Sequence, residues 1–148
     1  MVTTNDPVVI DLADFDAVGI ASDIVMAVRE QAIERGIDVA ATVSAPDGWH
    51  RVVATGRPSG HLVLGVRFSE LSTSRWHNVA EALRRREWDQ DEDSEGVTTR
   101  FPPGTEASTA AFELLAALSL GGAPTDQRTV TALAADGESV DLRPAADR

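Results

Sequence analysis

Between residues 16 and 36 apolar side chains recur every three to four positions. Ile20, Ile24, Val28 and Ala32 fall on one stripe, flanked by Val25 and Ile33. That spacing predicts a helix. Asp14 and Asp16 can each accept the free N–H groups of its first turn, and Gly36 stands where a left-handed residue ends a helix. The period then drops to two. DVAATVS (38–44) predicts a strand and APDG (45–48) a turn. WHRVVAT (49–55) predicts a second strand and GRPSG (56–60) a second turn. HLVLGVRF (61–68) predicts a third strand, with Leu62, Leu64, Val66 and Phe68 on one face. Three short strands on tight turns form an antiparallel meander.

The helical period returns after Ser72, a candidate N-cap. Trp76, Val79, Ala80 and Leu83 form the apolar stripe, and Arg84, Arg85 and Arg86 close the helix where positive charge complements its dipole. A strand-like fragment surrounds Trp88. GVTTRF (96–101) then alternates Val97, Thr99 and Phe101 and stops at PPG. A third helix runs from about 105 to 120, with Ala107, Ala110, Ala111, Leu114, Leu115 and Leu118 on one broad side. Its polar stripe (Glu106, Thr109, Glu113) is narrow, so this helix packs on the sheet or on a partner. Local pattern defines the two ends less. VVIDL (8–12) pairs as an edge strand or simply packs. TVTALAADGESVDLRP (129–144) reads as a hairpin around Asp136-Gly137, with a short helix over 125–135 as the alternative.

The predicted order is α-β-β-β-α-β-β-α plus a C-terminal hairpin or short helix. Helices on one face of an antiparallel sheet give an α+β class. At 148 residues the chain reads as one domain, with a core of about 16–120 and an extension over 121–148. This order resembles the fold of type III secretion chaperones and their relatives, the YbjN-like and TY-Chap domains. The run LSTSRWHNVAEALRRREWDQDEDSEGVTTRF (71–101) is similar to the TY-Chap layout of Leu-Ser, a helix, a Trp shortly after it, a polar turn and a strand. Where many of those domains have Gly-Trp, this chain has Glu87-Trp88. The resemblance implies a non-enzymatic domain that binds other proteins, often as a homodimer, and it supplies no catalytic residues.

Composition narrows the chemistry. There is no Cys, which excludes disulfides, thiolate metal sites and Cys nucleophiles, and all thirteen basic residues are Arg, which excludes Lys bases and Schiff bases. The net charge of −11 disfavours nucleic acid and anionic membranes and permits basic partners. The N-terminus lacks a secretory pattern, and 107–120 is too short and too interrupted to span a bilayer, so a cytoplasmic protein is expected.

EWDQDEDSEG (87–96) invites a calcium reading. Counted from Asp89, positions 1, 3 and 5 of an EF-hand loop are Asp89, Asp91 and Asp93. Position 6 is Ser94 rather than Gly, and position 12 is Arg100 rather than Glu, so a solvated turn between strands is the better reading. His50, His61 and His77 lack metal-ligand spacing, although His50 and His61 lie on neighbouring predicted strands. RPSG (57–60) is a turn and not a nucleophile elbow. No catalytic, cofactor or metal residue is selected.

The expected function is a protein-binding module, not an enzyme. Its partner is an unidentified protein or a second copy. The candidate interface residues are Trp49, Val53, Leu64, Val66 and Trp76, with Trp49 the foremost anchor. Two alternatives remain: a small-ligand or enzymatic domain with a polar pocket, in which Arg51 and Arg67 hold an anion, and an acidic regulatory or immunity-type protein that meets a basic partner.

Overall fold

The computed structural model describes residues 8–45, 51–67, 73–90, 96–120 and 125–142. In chain order the elements are β1 (Val8–Asp11), α1 (Ala17–Arg35), β2 (Val39–Ser44), β3 (Arg51–Gly56), β4 (Leu62–Arg67), α2 (Thr73–Arg85), β5 (Asp89–Gln90), β6 (Gly96–Phe101), α3 (Ala107–Ser119) and β7 (Gln127–Ala134). The α+β class holds. The meander β2-β3-β4 and all three predicted helices are present, and α1 ends at Gly36 in the left-handed conformation, φ 70°. VVID pairs as an edge strand. The tail supplies a full strand and not a short helix, followed by a turn at Asp136-Gly137 and a bridge from Leu133 to Ser139.

The seven strands form one sheet in the order β1-β7-β2-β3-β4-β6-β5, and every neighbouring pair is antiparallel. The C-terminal strand is therefore interior, between the first strand and the meander. Side chains alternate between the two faces of such a sheet. Val39, Ala41, Val43, Val52, Ala54, Leu62, Leu64, Val66, Val97, Val130, Ala132 and Ala134 turn to the helices and are buried. They form one core with Ile24, Val25 and Val28 of α1, Leu83 of α2 and Leu114 and Leu118 of α3. Burying each large aliphatic side chain stabilises the fold by about 1.5–3 kcal/mol.

α1 lies close to the sheet because its inner stripe is rich in alanine and because β3 has Gly56 beneath it. A Cβ built on Gly56 would lie 2.6 Å from the Val28 carbonyl oxygen. Arg29 fixes the same helix from the side. Its Nε donates to the Gly60 carbonyl at 3.2 Å and its Nη1 to the Thr105 carbonyl at 2.8 Å, which ties α1 to the β3–β4 turn and to the approach to α3.

The end of α2 is a Schellman arrangement. Trp88 N–H donates to the Leu83 carbonyl at 3.0 Å, Glu87 N–H donates to the Arg84 carbonyl at 2.9 Å, and Glu87 takes φ 69°. Leu83 and Trp88, the apolar pair flanking this turn, are both buried. A left-handed non-glycine residue costs about 1–2 kcal/mol. Glu87→Gly is therefore expected to raise stability by about 1 kcal/mol, read as a higher urea midpoint with an unchanged m-value. A fall in the midpoint would show that the Glu87 side chain supplies something the backbone does not.

Candidate binding surfaces

Among the described residues no helix covers the second face of the sheet, and the strand registers set out its side chains in cross-strand rows. One row runs Leu133, Ala40, Thr55, Val63, Arg100. The next runs Thr131, Thr42, Val53, Gly65, Thr98, Asp89. Leu133 is 52% exposed, and Val53, Thr42 and Thr55 are partly exposed. A Cβ added at Gly65 would meet the Thr98 methyl at 3.4 Å and no nearer atom, so the row dips between Val53 and Thr98. The middle of the face is small or β-branched, and Leu133, Arg100 and Asp89 stand at the ends of the rows.

The predicted contact residues divide. Val53 lies on this open face. Leu64 and Val66 have the opposite parity and are 0% and 1% exposed, so they serve the core and not a contact surface. Trp76 is a residue of α2, with its side chain outside the described set, and Trp49 lies outside the described residues, as does His50. Arg51 occupies an exposed open-face position at the start of β3, and Arg67 a position of the same parity at the end of β4. His61 Nδ1 lies 2.9 Å from Ser59 Oγ on the exposed β3–β4 turn. There Arg57 N–H donates to the His61 carbonyl and Gly60 takes φ 91°, which is turn geometry.

A second surface feature was not anticipated. An open cleft of about 700 Å³ lies where the end of α2, β6 and α3 meet, lined by Arg85, Arg86, Glu87, Asp89, Thr99, Arg100, Phe101, Thr109 and Glu113. At its wall Trp88 Nε1–H donates to Glu113 Oε1 at 3.0 Å, and Arg86 bonds both Glu113 oxygens, with Nε to Oε1 at 3.2 Å. Burial pushes the Glu113 carboxyl up. The hydrogen bonds from Arg86 and Trp88, with the Arg86 charge, outweigh it and hold the group below its ordinary value. Arg86 is held above its own, chiefly by the hydrogen bond to Glu113. A general base works best near neutral pH, and Glu113 is displaced in the other direction. Its partners make it a structural anion.

Of the other cations here, Arg85 pairs with Glu81 at 3.0 Å, one helical turn away, and both side chains are exposed. Arg100 has no ion-pair partner among the described residues. The cleft can thus hold a small anion through Arg100, with Thr99 and Thr109 as neutral donors. Among the described residues no group of three or more His, Asp or Glu side chains is placed to hold a metal ion, and no helix is long and apolar enough to cross a membrane.

Asp89, position 1 of the EF-hand count, pairs with Thr98 as a strand residue, while 91–95 lie outside the described residues. Comparison with protein-family models, with curated proteins and with solved structures finds no match for this chain.

Proposed function

We propose that this chain is a non-enzymatic protein-binding module of chaperone-like fold, related to the YbjN-like and TY-Chap domains, that meets its partner through the helix-free face of its sheet. The observation that carries the reading is the seven-stranded sheet with helices on one face alone among the described residues. An antiparallel sheet can leave one face to water, but that face is then ordinarily polar. Here the middle of the face is Val53, Val63, Ala40 and Gly65 among threonines. The left-handed backbone at Glu87 also agrees with the resemblance, because Gly-Trp at that point would meet the same turn without strain. A cytoplasmic setting and association with a second copy belong to the same reading.

The test is photo-crosslinking in the native cell from Val53→benzoylphenylalanine, with Glu30→benzoylphenylalanine on the solvent side of α1 as control. Adducts at position 53 and none at 30 are expected. Equal labelling at the two positions, or none at 53, overturns the reading. A Val53→Asp variant is expected to lose the adduct partner in pull-down while its stability changes by less than about 1 kcal/mol, because the site is only partly buried.

The cleft at Arg100 supports a second reading, a small-anion site. Calorimetric titration with inorganic phosphate and with a dicarboxylate such as succinate checks it, and saturable heat that disappears in Arg100→Gln is the result it requires.

A further inference from the structure

The cleft between α2, β6 and α3 lies against a free strand edge. β5 matches only Val97 and Thr98 of β6, and just before it the Trp88 N–H turns back to the Leu83 carbonyl. Thr99, Arg100 and Phe101 therefore have β4 on one side and, among the described residues, no strand on the other. Successive residues of an antiparallel strand direct their N–H and C=O to alternate sides. At least one of these three residues thus turns both backbone groups toward the cleft, a donor beside an acceptor.

The side chains at this edge carry both signs of charge. Arg86 is neutralised by Glu113 and Arg85 by Glu81. Arg100, Asp89 and Glu87 remain, all exposed and with no ion-pair partner among the described residues. Asp89 stands opposite Thr98, so Arg100 is its diagonal neighbour across the strands, on the same side of the sheet. Such neighbours are about 7–8 Å apart, and these two do not pair with each other. An anion alone would gain Arg100 and be repelled by two carboxylates. Phe101, half-buried, adds an apolar surface to the same cleft.

We infer that this cleft binds a free α-amino acid with an apolar side chain. Its carboxylate meets the Arg100 guanidinium, its ammonium meets Asp89 and Glu87, and its side chain rests on Phe101. The strand edge supplies an N–H to the carboxylate and a C=O to the ammonium. The inference rests on the small-anion reading of the cleft and adds a positive group to the ligand. An amino acid carries the two charges on adjacent carbons, as the diagonal of Arg100 and Asp89 requires. A peptide terminus carries only one of them, and a phosphate or a dicarboxylate carries only negative charge. The cleft volume of about 700 Å³ leaves room for the side chain.

The test titrates the full chain with L-phenylalanine, with 3-phenylpropionate, which lacks the ammonium, and with phenethylamine, which lacks the carboxylate, following backbone amides by NMR. L-phenylalanine is expected to shift Thr99, Arg100 and Phe101 saturably, and each of the other two to bind about tenfold or more weakly. Arg100→Gln is expected to make L-phenylalanine and phenethylamine equal. Asp89→Asn combined with Glu87→Gln is expected to make L-phenylalanine and 3-phenylpropionate equal. No saturable shift with L-phenylalanine, shifts that leave 99–101 unmoved, or phenethylamine binding as tightly as L-phenylalanine would each overturn the inference. If 3-phenylpropionate binds as tightly and Arg100→Gln abolishes it, the ammonium falls and the anion reading stands. If phosphate and succinate give no saturable heat either, the anion reading falls as well.

Discussion

Gly56→Ala is expected to lower stability by about 3 kcal/mol, the upper end of the cost of overpacking a core. The new Cβ would lie 2.6 Å from the Val28 carbonyl oxygen and 2.9 Å from its carbonyl carbon. Both are backbone atoms of α1, so no rotamer change relieves the contact. The helix must lift from β3, and its seat involves Ile24, Val25 and Val28, all buried. Gly65→Ala is the control. Gly65 faces the other way, its nearest obstacle is the Thr98 methyl at 3.4 Å, and its effect is expected within about 0.5 kcal/mol of zero, since the entropy that alanine saves offsets a mild contact. Urea unfolding followed by tryptophan fluorescence measures both. Equal midpoints for the two variants would mean that α1 does not sit on β3 as described.

The same pair of glycines marks what was legible in the sequence. The alternation in 38–44 and 61–68 showed which residues share a face, because the period of a strand is local. It did not show which face the helices cover. Leu64 and Val66 read as contact candidates together with Val53, yet the larger side chains of β4 went to the core, and Val53 was left outside. The tail shows another limit. Residues 127–134 alternate cleanly in burial, but their inward side chains are Arg128, Val130, Ala132 and Ala134, a weak apolar signal. Their partners, 8–11 and 39–44, are distant in sequence, and pairing at that separation leaves no local trace.

The cleft is a similar case. Arg84–Arg86 were legible as a helix terminus. The fold adds that Arg86 reaches Glu113 on α3 and Arg85 turns back to Glu81. A polar stripe reading Glu106, Thr109, Glu113 looks solvated in sequence. Only the fold brings Glu113 against the buried Trp88. The signal that could have found the contact is Trp88 itself, since a buried indole N–H calls for an acceptor.

Glu113→Ala is expected to cost about 2–3 kcal/mol, because it leaves the Trp88 N–H without its acceptor and removes the Arg86 ion pair together. Glu113→Gln keeps an oxygen for Trp88 and loses the charge, and about 1 kcal/mol is expected. The pH dependence separates the two contributions. The folded-state value of Glu113 lies below its unfolded value, so the unfolded chain binds this proton more readily. The stabilisation is fully present above the ordinary carboxylate range and is lost as pH falls through the lower folded-state value. The stability gap between the wild-type chain and Glu113→Gln should therefore be constant near neutrality and close under acid, where Glu113 is protonated and the two side chains become nearly alike. Urea midpoints of both proteins from pH 7 down to the acid limit of folding supply the measurement. A gap that persists unchanged where the wild-type carboxyl is protonated would show that the ion pair with Arg86 is not what holds this carboxyl down. The expected closure would establish a fixed anion at the wall of the cleft, neutralised by Arg86. Arg100 would then be the cation left to face whatever enters.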